Sequence, residues 1–506
     1  MIGGLAASQV DVASSSEVFV RVPTGVVAGT TYDVTVENSD GTEVTFPAAF
    51  TAVLPTLSFV NGATRPSGNS GSTVILEGSA FGDVQGPGRV LFSDGGGGTV
   101  AAAIAGVDDW TDGFILTTVP AGAASGPVTV ETGTGQSASL EFTLTQNATF
   151  SPSTIAWTET QSLPVAMSGH SATYVPIEDG AGTTVERIYV VGGSGNDSIP
   201  MTSVYYNTIQ ADGSVATWDV GTELASGVAH HTTLAATPFN SKVHGSGYLY
   251  VLGGLEEKGG QPVGTIRRVT LANDGTTGSA EDVGTLPVPL HSFGAVLFRS
   301  TIYIAGGAST DDVPVANAYR AAIDTLGNIG PWEALPDLPE ARSYHDFVIF
   351  GGFLYAVGGE TAATAVDDAN FTQNATKTST VAHARINLRS GLLSEGWIVS
   401  GSTMQKSRSK HVVLAAGGSL FVSSGLYAAA GTGSSENSFA TLNSDGTVGS
   451  FGGATGSNTL LSVGGMNLFG ARGVAYVDSN GVARVMILAG DDVNSPGTKS
   501  AKVLFY

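Results

Sequence analysis

Apolar and polar residues recur in one order along residues 151–506. An apolar strand is followed by a second strand that ends in a pair of glycines, then by a variable loop, a third strand, a tight turn and a fourth strand. The six second-strand endings are IYVVGG at 188–193, LYVLGG at 249–254, IYIAGG at 302–307, LYAVGG at 354–359, LFVSSG at 420–425 and MILAG at 486–490. This self-similarity predicts six copies of one β-rich unit.

Tight turns are predicted between the third and fourth strands. Asp-Gly pairs lie at these turns in three units, at 212–213, 274–275 and 445–446. Both residue types tolerate the positive φ that a short hairpin requires. A tryptophan follows the turn in three units, at Trp218, Trp332 and Trp397, and a ring of this size is expected to pack against the next unit.

Together these motifs resemble the kelch repeat, whose units are the four-stranded blades of a β-propeller. The resemblance extends over residues 151–506 and is specific because six units match in order. The fifth and sixth units depart from the pattern by lacking the full glycine pair, and the second and fifth lack the tryptophan. The resemblance implies that residues 147–506 form a six-bladed kelch-like β-propeller.

The two ends of this region complement each other. Residues 502–506 match a third strand without its fourth, and residues 154–157 match a fourth strand without its first three. We therefore expect the 154–160 strand to complete the last blade and close the ring, which would leave no open strand edge.

The region before the repeats has a different pattern. Residues 55–146 resemble an IPT/TIG immunoglobulin-like domain, with early strands in 71–82 and later strands in 116–122 and 126–132. Alternation of apolar and polar residues along these runs predicts a sandwich with one buried face per sheet. The expected fold class is therefore all-β, with N-terminal immunoglobulin-like β-sandwich domains followed by the six-bladed propeller.

Residues 1–54 repeat only the second half of that domain pattern. Residues 18–25 parallel 115–122, residues 32–38 parallel 126–132, and the opening strands are missing. An isolated half-sandwich is only marginally stable. Two explanations follow: the chain is a piece of a longer polypeptide with upstream domains of this type, or another subunit supplies the missing strands by β-augmentation.

Composition excludes several functional classes. The net charge of −22 argues against nucleic-acid binding, which requires clustered Lys and Arg. The absence of cysteine excludes disulfides, Cys-zinc sites and thiol catalysis. No apolar run has the length of a membrane span, and the first residues lack the pattern of a signal peptide. We expect no membrane insertion, no metal and no cofactor.

A first set of candidate binding residues opens the inner strands. The set consists of His170, His230, His231, Arg342, His345, Arg408, His411 and Arg472, with Phe293 and Ala475 expected at the His position of the third and sixth units. These side chains either hydrogen-bond backbone between blades or form a ring of donors for a glycan or acidic ligand. One His per blade scatters ligands and does not favour zinc.

A second, acidic set follows the second strands. It consists of Asp197, Glu256, Glu257, Asp311, Asp312, Asp367, Asp368, Glu436, Asp491 and Asp492. These residues form either a solvated rim that opposes aggregation or a negative ring that attracts a basic partner or weakly holds Ca²⁺. The long polar insertion at 360–380 is a candidate contact loop.

The sequence favours a non-catalytic structural or adhesive protein, acidic and extracellular, on a bacterial cell surface or a phage virion. Its propeller face would contact a glycan, a protein or a copy of itself. The alternatives are a carbohydrate-active propeller enzyme similar to the sialic-acid mutarotases and a soluble extracellular binding module. Galactose oxidase combines related domains, but its copper site needs a Tyr–Cys crosslink, and this chain has no cysteine.

Overall fold

In the computed structural model, the regular secondary structure of the described residues is almost entirely β-strand. The described residues are 1–506 except 8–9, 15–16, 21, 24, 61–65, 69, 72, 105, 145–155, 179–183, 239–240, 242, 363–375, 417, 428–436, 444, 455–467, 478–482 and 493–497. The chain divides into two compact units. The first is Met1–Gln146 with Leu388–Ser390, and the second is Asn147–Asn387 with Gly391–Tyr506.

The first part of unit one consists of two separate hairpins. The strands are β1 (Val10–Ser14), β2 (Glu17–Val20), β3 (Thr31–Glu37) and β4 (Glu43–Thr51), paired β1–β2 and β3–β4. A small core lies beside the β3–β4 hairpin, with Ile2, Val26 and Ala52 buried, whereas Val44 and Phe46 of β4 are 50% and 52% exposed. This arrangement tests neither explanation for the half-sandwich, and both stay predictions.

The rest of unit one is two sheets around one core. The first sheet has the order β10-β7-β5, and the second has β6-β13-β11-β8-β9 with β12 beside β11. Their strands are β5 (Thr56–Val60), β6 (Ser67–Gly68), β7 (Thr73–Ser79), β8 (Arg89–Ser93), β9 (Thr99–Ala101), β10 (Phe114–Thr118), β11 (Gly126–Thr132), β12 (Gly135–Gln136) and β13 (Leu140–Leu144).

Both sheets contribute to that core because alternate side chains face inward. Leu76 and Ile115 from the first sheet and Phe92 and Phe142 from the second belong to one buried cluster. Trp110, which is fully buried after the 3-10 helix Val107–Asp109, donates its indole N–H to the Phe81 carbonyl at 3.0 Å. The buried polar atom of the largest ring in the core is thereby satisfied.

Unit two contains six consecutive sheets, which we number I to VI. The first three are sheet I with β15 (Ser171–Glu178), β16 (Thr184–Val191), β17 (Val204–Thr208) and β18 (Asp219–Val220), sheet II with β19 (Thr232–Ala236), β20 (Tyr248–Leu252), β21 (Thr265–Leu271) and β22 (Thr277–Thr285), and sheet III with β23 (Gly294–Phe298), β24 (Thr301–Ala305), β25 (Ala318–Ala322) and β26 (Glu333–Leu335).

The last three sheets follow the same order. They are sheet IV with β27 (Asp346–Phe350), β28 (Phe353–Val357), β29 (Val381–Arg385) and β30 (Ile398–Val399), sheet V with β32 (Val412–Ala416), β33 (Ser419–Ser423), β35 (Asn437–Thr441) and β36 (Gly452–Ala454), and sheet VI with β37 (Leu468–Phe469), β38 (Arg472–Val477), β39 (Ala483–Asp492), β40 (Lys499–Phe505) and β14 (Thr158–Thr160). The short strands β31 (Arg408–Ser409) and β34 (Leu426–Tyr427) pair with each other, and a second 3-10 helix spans Thr310–Asp312.

Sheet VI is assembled from both ends of the unit. Strand β14 pairs antiparallel with β40, with Thr158 opposite Phe505 and Thr160 opposite Val503. The outermost strand of the last sheet therefore comes from the start of the unit, beside the buried ring of Trp157.

A closed ring of backbone hydrogen bonds joins the six sheets. One residue just before each first strand donates its N–H to the carbonyl of its counterpart in the preceding sheet at 2.7–3.3 Å. We call these six residues the hydrogen-bond ring: Gly169, His230, Ser292, Tyr344, Lys410 and Gly470. All six have φ between 50° and 63°, and the circle is complete because Gly169 donates to Gly470.

The glycine pairs provide a second set of six links. The second glycine of each pair donates its N–H to the loop before the next first strand, for example Gly193 to Val228 and Gly490 to Met167. Both glycines have positive φ, as at Gly358 (60°) and Gly359 (107°). The fifth and sixth sheets, which lack a full pair in the sequence, hold Ser424 (61°) and Ala489 (51°) in the same left-handed conformation.

Tyrosine and tryptophan side chains link neighbouring sheets farther from the ring. The hydroxyls of Tyr250 and Tyr303 each donate to a turn-glycine carbonyl of the following sheet, at 2.7 Å. The indoles of Trp218, Trp332 and Trp397 donate to Gln161, Thr285 and Pro336 at 2.9–3.0 Å. Each of these acceptors lies at the end of the preceding sheet. The tryptophans therefore contact the preceding sheet and not the next one, as the sequence had led us to expect.

The prediction of an all-β fold is confirmed for the described residues. Apart from two 3-10 helices, the regular secondary structure of these residues is β-strand, in mainly antiparallel sheets. No helix in the described part of the chain combines the length and apolar character that a membrane span requires.

The contacts of the first glycines lead to a stability prediction. An alanine Cβ at Gly358 would lie 2.7 Å from His411 Cε1 and 2.8 Å from the Arg408 carbonyl oxygen, whereas one at Gly259 would meet nothing within 4 Å. Their φ values are similar, 60° and 64°. We expect Gly259→Ala to lower the free energy of unfolding by about 1 kcal/mol through backbone strain alone. Gly358→Ala should lower it by a further ~1–3 kcal/mol through overpacking.

Urea denaturation followed by tryptophan fluorescence measures both variants. Equal losses for the two would show that the contact between sheets IV and V contributes nothing.

Candidate ligand-binding site

Four of the predicted histidines lie inside the protein, where one sheet meets the next. His170, His231, His345 and His411 are 0–5% exposed. The imidazole of His231 contacts Gly192, and that of His411 contacts Gly358, the first glycine of the preceding sheet in each case. Burial lowers the pKa of His170, His231 and His345 to about 3 and that of His411 well below its usual value. These rings are neutral packing elements and offer no surface to a ligand.

The two predicted arginines of sheets IV and V are also buried. Arg342 donates to the Gly358 carbonyl at 3.2 Å and to the Thr380 hydroxyl at 3.0 Å. Arg408 donates to the Ser424 carbonyl at 3.2 Å. Both guanidinium groups therefore stabilise the strand ends of their own sheets and are closed to solvent.

Arg472 does not occupy the position of these two arginines. Gly359 donates its N–H to the Arg408 carbonyl, and Gly425 donates to Leu468, so Leu468 is the counterpart in sheet VI. Gly490 lies against Ala471 as Gly425 lies against His411, which places Ala471, and not Ala475, at the histidine position. The predicted positions of Arg472 and Ala475 in the sixth unit are therefore wrong by four residues.

Arg472 instead begins the first strand of sheet VI. Its Nε donates to the His170 carbonyl of sheet I at 3.1 Å. Asp346 begins the first strand of sheet IV, and its carboxylate accepts the Val413 N–H of sheet V at 2.7 Å. Burial raises the pKa of Asp346, and the charge of Arg472 acts in the opposite direction. Both charged groups therefore serve the junctions between sheets.

The acidic set divides into buried and exposed members. Asp312 and Asp491 are 9% and 1% exposed, and half-buried Glu256 forms an ion pair with Arg267. The exposed members are Asp197, Glu257 and Asp311, while Asp492 is half-buried. Asp367, Asp368, Glu436 and most of the 360–380 insertion lie outside the described residues. The described members do not form one uniform acidic rim.

Three side chains of the hydrogen-bond ring converge instead. The rings of His230 and Tyr344 lie 5.7 Å apart, both within 6.4 Å of the ring of His291, in edge-to-face arrangements. The Lys410 ammonium lies over Tyr344, 4.3 Å from the ring centroid. His230 and Tyr344 are half-buried. Burial lowers the pKa of His230 well below its usual value, and the charges of His291 and Lys410 act in the same direction.

Buried ionisable groups surround this cluster. His291 Nε2 lies 2.7 Å from Asp312 Oδ1. Glu360, 3% exposed, accepts the Ser409 hydroxyl at 2.7 Å and lies 3.9 Å from the Lys410 ammonium. We call His230, Tyr344 and Lys410, with the supporting His291, Asp312 and Glu360, the ring-side site.

The chemistry of the ring-side site suits a hydroxylated ligand. Aromatic faces offer contacts to C–H groups, while an imidazole and an ammonium offer hydrogen bonds. Among the described residues, no group of three or more His, Asp or Glu side chains is arranged to hold a metal ion.

The sequence pattern identified His230 as a candidate binding residue but did not identify Tyr344 or Lys410. The ring position is occupied by Gly, His, Ser, Tyr, Lys and Gly, which share no chemical property. Only the common left-handed backbone identifies it, and four of the six residues are not glycine. The one available signal was position, since each residue directly precedes the histidine position of its unit.

Comparisons with known proteins add little. No protein-family model matches the chain, and no curated protein matches it in sequence. A solved structure described as "Structure of YjhT" aligns with 68% of this chain and 95% of its own length, with 12% sequence identity and a TM-score of 0.46. This similarity is too weak to assign a family or an activity.

The buried histidines predict a pH dependence of stability. Their pKa values lie near 3 in the folded state and near 6.5 when unfolded, so the unfolded chain binds more protons between these limits. Their contribution to stability is complete above pH 6.5 and is lost as the pH falls toward 3. His345→Phe copies the natural Phe293 of sheet III and should remove about one proton, or ~1.4 kcal/mol per pH unit, from the slope.

Urea titrations across this pH range measure the slope. His244→Asn, at an exposed loop position, is the matched control and should leave it unchanged. An unaltered slope in His345→Phe would contradict the assignment of buried neutral histidine.

Proposed function

We propose that residues 147–506 form a six-bladed kelch-type β-propeller. Support comes from the cyclic order of contacts, in which each first strand approaches the first strand of the next sheet and β38 of sheet VI approaches β15 of sheet I. The hydrogen-bond ring and the β14–β40 pairing have the same cyclic order. We further propose that residues 55–146 form an IPT/TIG immunoglobulin-like domain, a proposal supported by two sheets around one core.

We infer that the chain is a non-catalytic adhesive protein that binds glycan through the ring-side site. The observation that carries this inference is the convergence of His230, Tyr344 and Lys410 above a closed hydrogen-bond ring. An extracellular position on a bacterial cell or a virion is part of the proposal and rests on the acidic, charge-poor composition.

A carbohydrate-active enzyme is the second candidate, because acid–base groups also converge there. The His291–Asp312 pair and Glu360 are the groups that could transfer protons. These three residues are nevertheless only 2–9% exposed, whereas His230 and Tyr344 are half-buried. A general base must reach the proton that it removes, so this burial favours binding over catalysis.

A printed glycan array tests the proposal. We expect the labelled protein to bind a subset of glycans, and His230→Asn with Lys410→Met to weaken that binding at least about tenfold through lost hydrogen bonds. Asparagine tolerates the positive φ at position 230, so the variant should keep its fold. Glu257→Gln, on an exposed loop, is the matched control and should bind like the wild type.

A second measurement separates binding from catalysis. Proton NMR of a bound glycan over time should show no new sugar signals and no faster exchange between anomers. Conversion of the glycan would support the enzyme, and absence of binding to every glycan on the array would reject the proposed function.

A further inference from the structure

Exposed apolar side chains concentrate in residues 1–54. Of the 22 large apolar residues that are exposed in the described part of the chain, 12 lie in this short segment. Single exposed apolar residues are ordinary, whereas a contiguous group of them marks an interaction surface. The question is therefore whether the exposed residues of this segment share a face.

The first shared face lies on the β1–β2 hairpin. Val10 is paired with Val20, and Val12 is paired with Val18. Directly paired residues and residues two apart along a strand project from the same side, so all four valines lie on one face. They are 41–67% exposed, and we call them the valine face.

The second shared face lies on the β3–β4 hairpin. Val36 is paired with Val44, and Val34 is paired with Phe46, so these four side chains also project from one side. Val34 packs against the small core beside the hairpin. The other three are 41–52% exposed, and we call Val36, Val44 and Phe46 the β3–β4 face.

The following domain shows how such positions are covered in a complete sandwich. In the sequence alignment, Val18 parallels Ile115 and Val36 parallels Val130. Ile115 and Val130 come from the two different sheets of residues 55–146 and are fully buried in their common core. Val18 and Val36 are each 41% exposed instead. The valine face and the β3–β4 face are therefore two halves of a sandwich core that do not cover each other within one copy.

We propose that two copies of this chain associate through residues 1–54, with the valine face of each copy packed on the β3–β4 face of the other. A two-fold axis produces both contacts at once, because each copy then uses the same surface. The contact is face to face and adds no strand at an edge, so it differs from β-augmentation. It goes beyond the proposed function, because it adds a partner that does not involve the ring-side site.

Complementarity favours a second copy as the occupant of these faces. Each copy supplies both faces, so neither face stays uncovered in the pair. Glu37 and Glu43 are paired with each other and alternate with Val36 and Val44, which places both carboxylates on the opposite side of the hairpin. The seven residues expose roughly 600 Å² per copy, or about 1,200 Å² in a pair, which reaches the lower end of specific interfaces.

Sedimentation equilibrium of the purified chain tests the association. We expect a dimer that dissociates on dilution, measured in about 0.15 M NaCl because salt screens the repulsion between copies of net charge −22. A chain that stays monomeric up to about 100 μM would overturn the proposal. That is the expected result if further polypeptide or a different protein covers these faces.

A polar substitution on either face should weaken the dimer. Val12→Thr and Phe46→Thr each change both contacts of a two-fold pair, so we expect association to weaken at least about tenfold. Val220→Thr is the matched control, because Val220 is also 67% exposed on a strand but lies in unit two. It should associate like the wild type. Undiminished association of folded Val12→Thr and Phe46→Thr would contradict the proposal, and thermal unfolding checks the fold.

A pair of opposite charges tests the reciprocal arrangement. Val12→Lys and Phe46→Glu should each prevent self-association, because a charge would then face an apolar surface in both contacts. A mixture of the two variants places the introduced charges opposite each other in one contact and leaves Val12 against Phe46 in the other. We expect the mixture to form a 1:1 dimer. Dimers of either variant alone, or a mixture that does not associate, would overturn the pairing of the two faces.

Discussion

The arrangement of unit two depends on a cycle of six peptide hydrogen bonds. Each bond requires a residue in the left-handed backbone region, which costs an ordinary L-residue roughly 1–2 kcal/mol. Four non-glycine residues accept this cost, at His230, Ser292, Tyr344 and Lys410. As a result, backbone geometry fixes every junction between sheets, and the side chains of the hydrogen-bond ring can differ from sheet to sheet. A common scaffold thereby carries a chemically asymmetric surface.

The first strands would otherwise be exposed edges. Each is paired on one side only within its sheet, and an unpaired edge N–H must find another partner. The Ser171 hydroxyl accepts the Thr233 N–H at 2.8 Å, and Asp346 accepts that of Val413. The Thr232 hydroxyl donates to the Phe293 carbonyl at 3.1 Å. Different residue types thus provide the hydrogen-bond partners of the first-strand edges at different junctions. This is why no single sequence motif marks these contacts.

Much of the fold was predictable because it is encoded in periodic apolar runs and glycine pairs. The second strands, the Asp-Gly turns and the pairing partner of the C-terminal strand all follow from such local patterns. The register of sheet VI could not be predicted in this way. The sequence pattern aligns Arg472 with Arg342 and Arg408, whereas the backbone hydrogen bonds align Leu468 with them. A hydrogen-bond partner in another sheet decides this alignment, and spacing along one strand contains no such information.

The candidate site was less predictable for a related reason. Asp311 and Asp312 are adjacent and identical in type, yet one is exposed and the other is buried against His291. Which carboxylate turns inward depends on the backbone angles of that one loop. Likewise, nothing in a tyrosine or a lysine signals a left-handed backbone, so Tyr344 and Lys410 acquire their position only from the ring that they complete.

The seam between β14 and β40 has a consequence for how the molecule forms. The Lys502 ammonium lies 3.2 Å from Glu159, although 343 positions separate the two along the chain. Closing a loop of that length costs on the order of 5 kcal/mol of chain entropy, more than any junction between consecutive sheets. Strands that are neighbours in sequence can associate early, whereas this pair waits until the intervening sheets are arranged. We therefore expect the seam to form after the junctions between consecutive sheets.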